Sequence, residues 1–367
     1  PILVSKDGYI LAGHARLKAA KKAGLEEVPV IYLPLEGAKA EAYLIADNRL
    51  QDETDWDYEK LEDLLSELSK SDIDILLTGF DTSEIDSMLF DINDMDDDNF
   101  DIVEAIEEIE EPITVRGDIW LLGRHRLMCG DSTSKEDINI LMDGKKTSLI
   151  ITDPPYNVDY TGATKDALKI KNDNMDNETF YNFLYGAFVR MYEAAEDGAS
   201  IYVFHADTEG LNFRKAFIDA GFYLAQCCIW AKQSLVMGRQ DYHWQHEPVL
   251  YGWKPTSSHY WNGDRKQTTL WHFDRPFRNE LHPTMKPVPL MAYPIRNSST
   301  ANSIVLDPFI GSGSTLMACE ETGRICYSME LDEKYCDVVV KRYIETAGED
   351  KVFLHRDGEK IPYNDIT

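Results

Sequence analysis

The chain has 367 residues, enough for two domains and for one large α/β core. No run of 18 apolar residues occurs, so no membrane-spanning helix and no membrane partner are expected. The formal net charge of −28 argues against nucleic acid until it is located: residues 51–112 hold 24 Asp/Glu against 2 Lys/Arg, and residues 113–367 hold 35 against 28.

The six cysteines form no C-x-x-C pair, which predicts buried, reduced thiols in a cytoplasmic protein. The chain opens at Pro1 rather than Met and in mid-pattern, so it reads as a fragment. Residues 1–4 and 9–12 read as strands around the Asp7-Gly8 turn, followed by a helix over 15–23 opened by Gly13-His14-Ala15-Arg16. A strand at 28–32 (VPVIY) and a helix at 38–48 complete this stretch. The strand–GHxR–helix–VPVI pattern resembles the ParB/sulfiredoxin-like domain without its first part, an α+β unit over residues 1–50. The resemblance implies that the glycine-led helix N-terminus handles phosphate groups of a nucleotide or DNA. The alternative is a compact accessory domain with no chemistry.

Residues 55–69 place Trp56, Leu61, Leu64, Leu65 and Leu68 near helical spacing, and 83–90 reads as a second helix. Residues 93–111 are nearly all Asp, Glu and Ile, which predicts a solvated linker within an acidic segment, 51–112. A hairpin is expected over 113–127. Cys129-Gly130-Asp131-Ser132 follows, with Asp131 a candidate N-cap for a helix at 135–142.

Residues 148–157, SLIITDPPYN, form an apolar strand that runs into Asp153-Pro154-Pro155-Tyr156. Two prolines cannot extend a ladder and hold the preceding residues out of the α region. The result is a stiff edge at a strand's carboxyl end, where ligands bind in open α/β sheets. The residues suit methyl transfer to an exocyclic amino group. Asp153 accepts one N–H, the Pro154 carbonyl accepts the other, and the Tyr156 ring offers a stacking face for a flipped base. Neither a metal nor a strong base is required, because the proton leaves after the nitrogen is alkylated.

Residues 158–178 are polar and aperiodic, as expected of a loop that closes over DNA or cofactor. Helices at 179–195 and 209–220 alternate with strands at 200–205 and 223–230, the pattern of a parallel sheet. Residues 232–281 break that alternation. They interleave four tryptophans and three tyrosines with Arg239, Lys254, Arg265, Lys266, Arg275 and Arg278, a composition suited to DNA backbone contact and base stacking.

Residues 303–307 (SIVLD) form another apolar strand ending in an acid. Phe309-Ile310-Gly311-Ser312-Gly313 follows, then a helix over 315–322, and a strand at 325–329 that ends at Glu330. Glycines that admit a ligand to the backbone, with an acid about 20 residues on for ribose hydroxyls, are the logic of a nucleotide-type cofactor site. A helix at 333–346 and a strand pair at 352–362 close the chain.

Three ordered motifs, DPPY at Asp153–Tyr156, HPTMKP at His282–Pro287 and FIGSG at Phe309–Gly313, resemble the β-class S-adenosylmethionine-dependent DNA amino-methyltransferases. The resemblance covers residues 113–367 and implies a Rossmann-like methyltransferase sheet with helices on both faces and a target-recognition region over 234–281. It implies S-adenosyl-L-methionine as cofactor and transfer to adenine N6, with N4-cytosine or a DNA-binding regulator with a vestigial methylase as alternatives. Asp153, Pro154, Pro155 and Tyr156 would be catalytic. Glu330 would hold the ribose, Phe309, Gly311 and Gly313 would line the methionine side with Asp307 near its amino group, and Thr284 and Lys286 would close that end. Asp131 would meet the adenine ring. The partner would be double-stranded DNA, the assembly a homodimer, the setting a bacterial or phage cytoplasm, and any restriction endonuclease a separate chain.

Overall fold

The computed structural model describes residues 1–49, 58–69, 71, 73–80, 84–85, 88, 97–98, 100–158, 174–237, 240–263, 265–274 and 285–366. The chain divides into two units, Pro1–Asp91 and Ile92–Thr367. In the first, β1 (Ile2–Val4) pairs antiparallel with β2 (Ile10–Ala12) and parallel with β3 (Val30–Tyr32). Among the described residues this unit also holds helices α1 (His14–Lys22), α2 (Ala38–Arg49) and α3 (Tyr58–Ser69). Leu61, Leu65 and Leu68 on α3 are buried, as their helical spacing predicts. Of the helix expected over 83–90, residues 84, 85 and 88 are described and are helical; the rest of it, and most of the loop over 158–178, lie outside the described residues.

The second unit is built on one mixed sheet. In chain order it runs α4 (Ile102–Glu108), β4 (Ile119–Leu122), β5 (His125–Cys129), α5 (Lys135–Met142), β6 (Thr147–Thr152), α6 (Asn177–Ala194), β7 (Ala195–Phe204), α7 (Gly210–Asp219), β8 (Tyr223–Val236), β9 (Trp244–Trp253) and β10 (Leu270–His272). Then come α8 (Val288–Ser298), β11 (Ile304–Asp307), α9 (Ser314–Glu321), β12 (Ile325–Glu330), α10 (Glu333–Ala347), β13 (Val352–Arg356) and β14 (Glu359–Pro362). The strand order is β10-β8-β9-β7-β6-β11-β12-β5-β4-β13-β14. β7, β6, β11, β12 and β5 are mutually parallel, and antiparallel strands extend both edges.

Both faces of the sheet are covered, so its central strands are apolar throughout rather than alternating. On β6, Leu149 and Ile151 join a core with Leu290 of α8, Leu316 of α9 and Val339 of α10. Ile150 points the other way, into a core with Leu141 of α5, Phe188 of α6 and Phe217 of α7. The expected layered α/β architecture is present.

Two expectations need correction. Residues 93–111 are not simply a solvated linker: Phe100, Ile102, Ala105 and Ile106 are buried with Met285 and Val338. Asp101 caps α4 through the N–H groups of Val103 and Glu104. Asp97 accepts from the Val288 N–H at 2.9 Å, and Asp98 takes both Nε and Nη2 of Arg342 at 2.6 Å. The charges that make the stretch look solvated are therefore partly spent on a helix cap and a buried arginine.

Residues 244–253, within the stretch over 232–281 expected to break the alternation, do not stand apart from the sheet. They form β9, inside the sheet between β7 and β8. Pro248 makes this run a poor candidate for an interior strand. Its carbonyl accepts from His205 N, just past the end of β7. A strand residue's N and C=O point to the same side, so the missing N–H falls where no ladder bond is needed.

Candidate active site

The carboxyl ends of β6, β7, β11 and β12 open onto a cavity of about 560 Å³. Its walls include Asp153, Pro154, Pro155 and Tyr156 after β6, Asp307 at the end of β11 with Phe309, Ile310 and Gly311 after it, and Glu330 at the end of β12. DPPY and FIGSG are therefore brought to one chamber, as their positions at strand ends predict.

One end of the chamber carries a charge network. Asp153 Oδ1 accepts from the Tyr156 hydroxyl at 2.5 Å, and Oδ2 accepts from Lys286 Nζ at 2.5 Å. Glu247 Oε2 lies within hydrogen-bond reach of the same hydroxyl, 3.1 Å away, and 3.2 Å from Lys286 Nζ. Glu247 Oε1 pairs with Lys232. Lys286 keeps only 6% of its side chain exposed, whereas Asp153 keeps 23%, and both line the cavity. Burial pushes the Asp153 carboxyl up, with Lys286 opposing and Glu247 adding to the rise. Burial would also raise Glu247, but Lys286 and Lys232 hold it down to about 2. Asn157, at φ 57, clamps the start of the next segment by bonding both N and O of Met175.

The other end is made of backbone. Glu330 accepts Leu331 N and Asp332 N on Oε1 and Gly311 N on Oε2. Oε2 therefore retains a lone pair for one more donor. Burial pushes Glu330 up to about 7 against those N–H bonds. Gly311 sits at φ +53, and a Cβ there would meet only open space. Gly313, at φ +94, would bring a Cβ to 3.3 Å from Val339 of α10. It therefore shapes the turn and lets the helix approach, and it does not line the chamber. A carboxylate with a spare acceptor, a side-chain-free backbone and the half-buried Phe309 ring fit a nucleoside-type cofactor.

Asp307 lies on the wall with its oxygens bonded to Thr152, Phe309 N and Thr315, and burial pushes it up to about 6. It ties β6 to the Phe309–Gly313 loop. Arg342 supports that loop from behind, donating to Ser312 O at 2.8 Å while paired with Asp98.

Several expected site residues stand elsewhere. Asp131 accepts from the N–H and hydroxyl of Thr133 and does not line the cavity, and the N-cap of α5 is Ser134. Lys286, expected beside the methionine end, is held at the Asp153 end by two carboxylates. Lys254 is a structural lysine: Nζ donates to Ala195 O at 2.9 Å and lies over the Tyr192 ring, at the sheet end opposite Asp153. Arg265 and Lys266 are exposed and do not line the cavity. Thr284, Arg239, Arg275 and Arg278 lie outside the described residues.

Sequence reasoning missed Glu247 and Lys232. The available signal was a lone acid inside the aromatic run HWQHEPVLYGW, where an unpaired charge cannot be buried. His205, at the end of β7, packs its ring on Phe213, and burial with nearby Arg214 pushes it down to about 4, so it is neutral at pH 7.

Residues 147–341 match a family model described as DNA methylase, of the N6 and N4 type. Residues 59–116 match a ParB-methyltransferase HTH domain. That second match falls mainly on the acidic segment and begins beyond residues 1–50, where the sequence pattern puts the ParB-like resemblance. The chain is similar to the type II methyltransferase M.HpaI of Haemophilus parainfluenzae, 24% identical over 242 residues, covering 59% of this chain and 73% of the relative. It is similar to the DNA adenine methyltransferase YhdJ of Escherichia coli, 25% identical over 231 residues, covering 54% and 76%. Among solved structures it is similar to the M1.HpyAVI complex with SAM, at TM-score 0.46 and 24% identity, covering 59% of this chain and 98% of that one.

Proposed function

The chain belongs to the DNA methylase family of N6 and N4 amino-methyltransferases, and from that premise we propose that it methylates adenine N6 in double-stranded DNA at a specific site. The cofactor is S-adenosylmethionine. The observation that carries the reading is that Asp153, the carboxylate suited to an amino group, and Glu330, the carboxylate suited to ribose hydroxyls, line one cavity.

When bound, S-adenosylmethionine supplies an electrophilic methyl group on a good leaving group. Glu330, Gly311 and Phe309 would hold it, with Asp307 keeping the loop in place. The chain's remaining task is orientation rather than strong base catalysis. Asp153 and the Pro154 carbonyl accept the two hydrogens of the target amine, which aims the nitrogen lone pair away from them. Tyr156 presents its ring to the flipped base. Positive charge grows on the nitrogen during transfer, and the Asp153 carboxylate beside it stabilises that charge. Asp153 then takes one proton from the alkylated amine and passes it to water. Its upward shift makes it a better acceptor for that proton than an ordinary carboxylate.

The family covers both amine types, and Asp153 at the motif's first position together with the adenine activity named for YhdJ supports adenine. The bacterial restriction-modification setting of the relatives supports a cytoplasmic enzyme whose endonuclease, if one exists, is another chain. A homodimer is proposed from family resemblance. The test is transfer of tritium from methyl-labelled S-adenosylmethionine to unmethylated duplex DNA. Label retained in DNA supports the reading, and label absent from DNA but present in RNA or protein overturns it.

A further inference from the structure

Asp153 must stabilise a cationic nitrogen, yet it already holds a cation. Lys286 Nζ is 2.5 Å from one oxygen, and the Tyr156 hydroxyl is 2.5 Å from the other. A carboxylate paired with an ammonium offers little charge to a second positive centre, and Lys286 itself would repel that centre. Both donors therefore have to lean away from Asp153 as the target arrives. Among the described residues, Glu247 is the second carboxylate within reach of both, at 3.2 Å from Lys286 Nζ and 3.1 Å from the Tyr156 hydroxyl.

Resting on the amino-methyltransferase reading, we propose that Glu247 is a positioning residue that takes over Lys286 and the Tyr156 hydroxyl when the target amine engages Asp153. No covalent bond forms or breaks in this step, and two hydrogen bonds change acceptor. Lys232, held on the other Glu247 oxygen, keeps two acids matched by two lysines before and after the exchange. β9 fixes Glu247 between β7 and β8, so the acceptor is rigid and the lysine tip is the part that moves. Among the described residues, Asp307 is a further charged group close enough to act on Asp153.

The test uses the full chain with Glu247→Gln and Glu247→Asp, measuring S-adenosylmethionine affinity and single-turnover methyl transfer to DNA across pH. The Gln variant removes the charge, and the Asp variant keeps it but withdraws the oxygens by about 1.5 Å, one carbon–carbon bond length. Both should bind cofactor within about 3-fold of the parent and transfer about 100-fold more slowly, the scale of one lost preorganised charge contact. In the Gln variant the acid limb of the rate profile should move to lower pH, because Glu247 no longer raises Asp153. Adding Lys286→Met to Glu247→Gln should recover about 10-fold or more by freeing Asp153, a non-additivity that a purely structural role would not give. Rates within about 2-fold of the parent in either single variant, or a double variant slower than Glu247→Gln, would overturn the proposal. If the parent chain itself moves no methyl group to DNA, the amino-methyltransferase reading falls first and this inference with it.

Discussion

The two ends of the cavity are built differently. At the Glu330 end the carboxylate is fixed by backbone N–H groups from two short stretches, Gly311 and Leu331–Asp332. At the Asp153 end five side chains from four stretches of chain form a compensated network: Asp153 and Tyr156 after β6, Lys232 on β8, Glu247 on β9, and Lys286 before α8. A backbone cradle is specified locally and tolerates few side chains. A buried ion network is specified globally and fails when one charge is left without a partner.

The comparison can be broken at either end. The largest effect is expected from Asp153→Ala, which removes the carboxylate proposed to meet the amine. Turnover should fall about 1000-fold with cofactor affinity and fold intact, measured by single-turnover transfer beside calorimetry. Near-normal turnover would contradict the assigned mechanism. Gly311→Val attacks the other end alone. A β-branched residue at φ +53 is strained by about 1–3 kcal/mol, so cofactor affinity should drop about 10- to 100-fold, measured by isothermal titration.

Smaller effects sharpen the contrast. Removing Asp98, as Asp98→Ala, leaves the buried Arg342 without its carboxylate and loosens the loop through Ser312. About 2 kcal/mol of stability should be lost, read by urea denaturation. Glu330 also gives the protein a pH signature. Its folded value of about 7 exceeds the ordinary glutamate value of 4.5, so the folded state keeps a proton that the unfolded state has released. Stability should therefore fall as pH rises between those values, and Glu330→Gln should flatten part of that slope. Asp307, raised to about 6, contributes with the same sign and remains in the variant. The least effect is expected from Lys254→Ala, which should cost about 1 kcal/mol of stability and leave DNA affinity unchanged in a binding titration.

The same contrast explains what the sequence disclosed. The cofactor end was legible because its determinants are contiguous: an apolar strand, two glycines at positive φ, a helix, and an acid at the next strand end. DPPY was legible for the same reason. The network was not, because Glu247 and Lys232 meet Asp153 only through pairing of β8, β9 and β7, long-range contacts without a local period. β9 itself was hidden by Pro248, whose tolerance depends on β7 ending at Phe204. Lys254 was misjudged since composition reports a charge and not its direction: its ammonium is turned onto backbone carbonyls beneath the sheet's amino end. The acidic stretch concealed α4 because Phe100, Ile102 and Ile106 are too few to stand out among so many acids.

The most direct test is nucleoside mass spectrometry on unmethylated duplex DNA incubated with the protein and S-adenosylmethionine. N6-methyladenine formed by the parent chain and lost with Asp153→Ala is the predicted result. N4-methylcytosine would keep the cavity and its two carboxylates but contradict the assigned base. No methylated base, with cofactor bound, would contradict the account.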